Sequence, residues 1–165
     1  VPGSIPLVTR ESTRPLLVEV QALVDQNSGS HPRRLAHGLD TQRLDLLLAV
    51  LHRHCGIAIG DSDVYANVVG GLKVTETAAD LPVTLALLSS FRERSLPGDL
   101  VAFGEIGLTG EVRPIPFGEE RLAEARKHGV KRALIPSANR PQTTIDGMEF
   151  IAVERLSQAL DAVFT

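Results

Sequence analysis

Strand-like apolar runs alternate along most of this chain with stretches whose leucines recur at helical spacing. That alternation restricts the fold to an α/β (α+β) arrangement with a mixed sheet. Pro15–Asp25 carries Leu17, Val18, Val20, Leu23 and Val24 in one β-rich run, and 33–38, 63–69, Leu100–Phe103, Glu111–Ile115, Lys131–Ile135 and Met148–Ala152 read as further strands. Between them, Leu44, Leu47, Leu48 and Leu51 predict a helix over 41–54, with Asp40 as its N-cap and Gly56 as its stop. A second helix should cover 81–94, with Leu85, Leu88 and Phe91 among its apolar positions. Glu119–His128 has acids in its first turn and bases in its last, and Glu154–Phe164 closes the pattern. At 165 residues the chain has the size of one domain around one core.

Local signals refine this outline. Asn27-Ser28-Gly29-Ser30 reads as a polar turn, and Gly70-Gly71 as a turn in left-handed backbone. Gly107-Leu108-Thr109-Gly110 would join the strands 100–103 and 111–115 as a hairpin. The start of the second helix has two readings: a capping box from Thr77 to Asp80, or Asp80 as the cap with Pro82 in the first turn.

Composition removes several function classes. Cys55 stands alone, so an internal disulfide and a four-cysteine zinc site are both excluded, and a reduced thiol fits the cytoplasm. A formal charge of −3 excludes a uniformly basic nucleic-acid binder and leaves room for a local basic face. With no Trp, one Tyr and five Phe, the chain has little surface on which single-stranded bases could stack. No apolar run approaches the roughly 18 to 20 residues that span a bilayer, and no export signal is visible at the start, so no membrane partner is expected.

The familiar cofactor motifs fail on spacing. Gly70-Gly71-Leu72-Lys73 lacks the second glycine spacing of a Walker loop, and Val74 stands where a magnesium-binding hydroxyl is needed. Gly104, Gly107 and Gly110 are three apart and do not open a helix, so they are no dinucleotide fingerprint. His52 and His54 lie two apart on a helix and point to different faces, which argues against a shared metal ion. Glu76, Asp80 and Glu105 could furnish an acid/base pair, but capping and solvated loops are the plainer expectation for each.

One longer constellation is specific. Glu76-Thr77-Ala78-Ala79-Asp80 precedes an apolar helix, then come Phe103-Gly104-Glu105-Ile106-Gly107-Leu108-Thr109-Gly110-Glu111-Val112-Arg113-Pro114-Ile115 and the helix Glu120-Arg121-Leu122-Ala123-Glu124-Ala125. This order resembles the proteolytic domain of Lon proteases, and implies that fold. The serine nucleophile of that family falls on Ala78 and the lysine base on Arg121. A methyl group cannot attack a carbonyl, and a guanidinium, which stays protonated in proteins, is no general base near neutrality. No peptidase activity is expected, and no catalytic residue is assigned. Ser89 and Ser90 lie about three turns further on, on the order of 16 Å from residue 78 along the helix. Arg121 is left with a structural role or a nearby acid as partner.

A narrower likeness covers 12–165. Thr13–Val24, Pro32-Arg33-Arg34, Gly38-Leu39-Asp40, Leu47–His54 and Asn67–Thr77 resemble the C-terminal Lon-like domain of the bacterial RadA (Sms) family of DNA-repair ATPases. The resemblance implies a non-proteolytic scaffold that forms a hexameric ring and contributes DNA binding for branch migration, beside RecA-type recombination machinery. Residues 1–11 would be an extension from an ATPase core. This domain would hold no cofactor of its own, with ATP, magnesium and zinc bound by parts outside it. Arg14, Arg34, Arg43 and Lys73 are the expected phosphate contacts, because all four stand at element ends or on loops and Arg43 sits in the first turn of a helix. With so few aromatics, duplex DNA is favoured. An oligomerisation-only module and a residual peptidase are the alternatives.

Overall fold

The computed structural model describes residues 1–26 and 31–164. The polar turn expected at 27–30 lies outside the described residues. In chain order the strands and helices are β1 (Ser4–Glu11), β2 (Arg14–Gln26), β3 (Arg34–His37), α1 (Thr41–Cys55), β4 (Ser62–Val68) and α2 (Asp80–Arg92), then β5 (Leu100–Ala102), β6 (Glu105–Ile106), β7 (Val112–Arg113), α3 (Gly118–Lys127), β8 (Arg132–Pro136), β9 (Glu149–Val153) and α4 (Leu156–Phe164). A 3-10 turn, Thr77–Ala79, leads directly into α2. The α/β class and the mixed pairing therefore hold.

Three sheets share the strands. The largest has the order β1-β2-β4-β3: β1 and β4 run antiparallel to β2, and β3 runs parallel to β4. Parallel neighbours need a crossover, and α1 supplies it. The α1 ends match the sequence signals, since the Asp40 carboxylate accepts the Gln42 N–H at 3.0 Å and Gly56 closes the helix at φ 69°. β5, β8 and β9 form a second, wholly parallel sheet, and β6 and β7 a short antiparallel ribbon.

α2 is the hub. Every residue from Asp80 to Ser89 is buried, so the helix is covered on all sides, by β1, β2, α1 and the β5–β6 region. One apolar cluster gathers Ile5, Leu7, Val20, Leu44, Leu51 and Leu85 between the large sheet and the helices. A second gathers Val8, Ala78, Phe103, Leu122 and Ile135 under α3. β1 feeds both, because neighbouring residues of a strand point to opposite faces.

Three expectations are corrected. Residues 4–11 are not an extension: Ile5, Leu7, Val8 and Thr9 are each at most 3% exposed, so this strand belongs to the domain. The run 100–103 is no arm of the hairpin; β5 pairs in parallel with β8, and the hairpin is β6–β7 around the turn 107–110. Phe91, near the end of α2, is 40% exposed. Neither capping reading of α2 holds, for the 3-10 turn enters the helix without a side-chain cap and the Asp80 carboxylate is used elsewhere. Among the described residues no helix is long and apolar enough to cross a membrane.

The burial pattern predicts a contrast within α2. Leu85→Ala should lower stability by about 2–5 kcal/mol by leaving a cavity at a fully buried position. Phe91→Ala should change it by less than about 1 kcal/mol. Urea titrations of the two variants measure both.

Candidate functional site

The segment Glu76–Asp80 is held by a guanidinium at each end. On one side Arg121 Nη1 and Nη2 donate to Glu76 Oε2 and Oε1 at 2.8 and 2.9 Å. Arg121 has no exposed side-chain surface, and its remaining N–H groups reach the carbonyls of Val8 (2.9 Å) and Pro116 (3.1 Å). Glu76 also accepts the Thr9 hydroxyl and the Arg10 N–H, both at 3.2 Å. On the other side Arg43 forks onto Asp80, with Nε to Oδ1 at 2.9 Å and Nη2 onto Oδ2, and Nη2 also donates to the Ile106 carbonyl. The Ile106 N–H returns a bond to Asp80 at 3.0 Å. These two pairs join the 3-10 turn to β1, α1, α3 and the β6–β7 hairpin. Glu76 and Asp80 are neither helix caps nor solvated acids, which corrects the plainer expectation for both.

Ala78 lies between the two pairs. It is buried in the second apolar cluster, and its carbonyl accepts the Gly104 N–H at 3.0 Å, while the Leu81 N–H donates to the Gly104 carbonyl. Gly104 has to be small, because a Cβ there would stand 2.9 Å from a Val112 methyl and 3.1 Å from the Pro136 ring. The positions expected to be degenerate are thus brought together: Arg121 grips the residue two before Ala78. A cavity of about 180 Å³ opens between α1 and this segment, lined by Leu44, Leu47, Val74 and Val83 with Arg43 at its edge. Both later serines are hydrogen-bonded. Ser89 Oγ accepts the Gly3 N–H and donates to the Arg94 carbonyl, and Ser90 Oγ accepts the Val24 N–H.

The four expected phosphate contacts separate into two kinds. Arg14, at the start of β2, and Lys73, after the two glycines, are exposed and make no side-chain hydrogen bond or ion pair among the described residues. Arg34 and Arg43 are not free. Arg34 donates to the carbonyls of Ser62 (2.7 Å) and Gly60 (2.6 Å) and pairs with Asp45, while Arg43 is spent on the buried Asp80, whose charge is costly to leave unpaired. They also lie on different sides of α1: Arg34 meets Asp45, two residues from Arg43, and positions two apart on a helix diverge. His52 and His54 diverge in the same way, with His54 Nε2 against the Leu108 carbonyl at 2.8 Å. Glu105 faces Arg113 at 3.5 Å.

The two carboxyls respond differently to their surroundings. Burial disfavours the Glu76 anion, but Arg121, the Arg10 N–H and the Thr9 hydroxyl outweigh it and hold the carboxyl below its ordinary 4.5. Burial pushes Asp80 above its ordinary 3.8, against the pull of Arg43 and the Ile106 N–H. Sequence reasoning missed the Glu76–Arg121 match because the partners are 45 residues apart. A second feature it missed is Phe117, which opens α3 in left-handed backbone at φ 62° with the Arg10 guanidinium 3.4 Å over its ring.

A family model described as subunit ChlI of Mg-chelatase matches residues 46–139, from within α1 through β8. The chain is 59% identical over 164 residues to the DNA repair protein RadA of Pseudomonas aeruginosa, covering 99% of this chain and 36% of that protein. It is 58% identical over 158 residues to the RadA proteins of Haemophilus influenzae and Escherichia coli, covering 96% of this chain and 34% of each. The chain therefore spans about a third of the length of these curated relatives.

Removing Arg121 leaves the Glu76 charge half-buried without its partner, so Arg121→Ala should cost roughly 3–5 kcal/mol in urea unfolding. A Glu76 carboxyl held below its ordinary pKa stabilises the fold above pH 4.5, and that contribution is lost as pH falls through its folded value. The stability gap between the parent chain and Glu76→Gln should accordingly narrow on acidification. Asp80, whose shift has the opposite sign, is present in both chains and cancels from the difference.

Proposed function

The chain belongs to the family described as subunit ChlI of Mg-chelatase, and from that membership together with its RadA relatives we propose that it is the non-proteolytic, Lon-like scaffold portion, residues 12–165 with β1 added, of a RadA-type DNA-repair protein. The single observation that carries the reading is the 59% identity to a protein named for DNA repair over 99% of this chain. The family model covers the central framework, α1 to β8, whereas the identity to RadA reaches the strands β1 to β3 as well. That wider match favours repair over chelation.

The geometry supports holding over cutting. Ala78 offers no nucleophile, all three guanidinium nitrogens of Arg121 donate to acceptors, and both nearby serines are engaged. What remains is a rigid segment stapled to four elements, a suitable base for a scaffold. In a hexameric ring each subunit would present Arg14 and Lys73 again, so two free cations per subunit make a band of positive charge on a body with a net charge of −3. Such contacts are to phosphates and carry no base readout. Arg34 and Arg43 would act indirectly, by fixing β3 and α1. ATP hydrolysis, its magnesium and a zinc site belong to other portions of the full-length protein, as does any meeting with RecA-type machinery in the cytoplasm.

Titrating the chain with duplex DNA at several salt concentrations tests this. The log–log slope should be near −0.9 per phosphate neutralised, and Arg14→Ala with Lys73→Ala should weaken binding and flatten the slope. Unchanged binding in that variant would remove both residues from the interface. A ring by light scattering with no salt-dependent DNA shift would leave oligomerisation alone, and turnover of a fluorogenic peptide would restore the hydrolase reading.

A further inference from the structure

Exposed apolar side chains gather on one face of the large sheet. Leu23 of β2 and Leu35 of β3 both stand opposite Tyr65 of β4, so the three form one row across three strands. Leu23 is 56% and Leu35 50% exposed. The row continues to the start of the chain, since Val1 and Pro2 line the same hollow of about 470 Å³, and beyond Pro2 a second hollow reaches the outward-turned Phe91. Isolated exposed leucines need no explanation, but a contiguous patch of this kind on a soluble body marks a surface that is covered by something.

We propose that this face docks the ATPase portion that precedes Val1 in a full-length RadA-type protein. The inference rests on the reading given above, in which this chain is the C-terminal part of such a protein. Two observations select that occupant. The matched relatives are nearly three times as long as the portion this chain covers, so a large body is available. Val1, 94% exposed, lines the same hollow as Leu23 and Tyr65, so a body joined to the chain there would start at the rim of the patch. A body tethered at the rim of a patch meets it at high effective concentration and needs little intrinsic affinity to stay there. The row Leu23–Tyr65–Leu35 would form the apolar centre of the contact, and Gln21, Asn67 and His37, which are paired with one another across the same strands, its polar margin.

Hydroxyl-radical footprinting without DNA, read by mass spectrometry on the 165-residue chain and on the full-length protein, tests the proposal. Leu23, Tyr65 and Leu35 should be oxidised several-fold less in the full-length protein, with Leu108, 69% exposed at the hairpin tip, oxidised equally in both. Equal oxidation of the row in the two proteins overturns it. So does protection that is already present in the short chain and grows with its concentration, which would make a second copy the occupant. Leu23→Lys with Leu35→Lys alters only exposed positions and should leave the short chain's melting nearly unchanged; in the full-length protein it should abolish protection of Tyr65. Protection that survives this change also overturns the proposal. None of these readouts uses DNA, so failure of the DNA-binding reading leaves them intact and the reverse holds as well.

Discussion

A fully buried guanidinium organises this molecule. Arg121 satisfies both oxygens of Glu76 and the carbonyls of Val8 and Pro116, so one side chain joins the 3-10 turn, the first strand and the start of its own helix. A charge taken that far from water is tolerated only when every donor finds an acceptor, and the acceptors come from segments far apart in sequence. The fold must therefore be complete before the ion pair is, and the ion pair in turn fixes where the turn at Ala78 lies. Arg43 and Asp80 repeat the device at the other end of the same five residues.

This double grip fixes the segment Glu76–Asp80 from both ends. A serine and a lysine working as nucleophile and base need a neutral amine beside a hydroxyl. An arginine paired bidentately with a carboxylate supplies neither. The contacts on either side of Ala78 stiffen the segment. Relatives named as repair proteins share this chain almost end to end, and the broader family shares only its centre.

Much of the fold was legible in the sequence wherever the signal is local. α1 has apolar spacing, a capping Asp40 and a closing Gly56, and the structure follows all three. The errors occur where distant partners decide. Leu100–Ala102 is too short to declare its neighbour, and β8, thirty residues later, claimed it. Ile5, Leu7 and Val8 sit in a short run interrupted by Pro6, and only the register with β2 makes them core. At the site, the positions Ala78 and Arg121 were found through resemblance. The acids that hold the arginines were not, because no spacing rule links Glu76 to Arg121 or Arg43 to Asp80. Free and engaged cations likewise look identical in sequence, which is why Arg34 and Arg43 stood beside Arg14 and Lys73.

The first strand carries a mechanical implication. Its Val8 carbonyl is a ligand of Arg121 and its Gly3 N–H leans on Ser89 of the central helix. Tension applied at Val1 would consequently travel along β1 to the buried cation and to α2 without crossing a flexible loop. The strand works as a stiff tie-rod between the buried cation and the central helix.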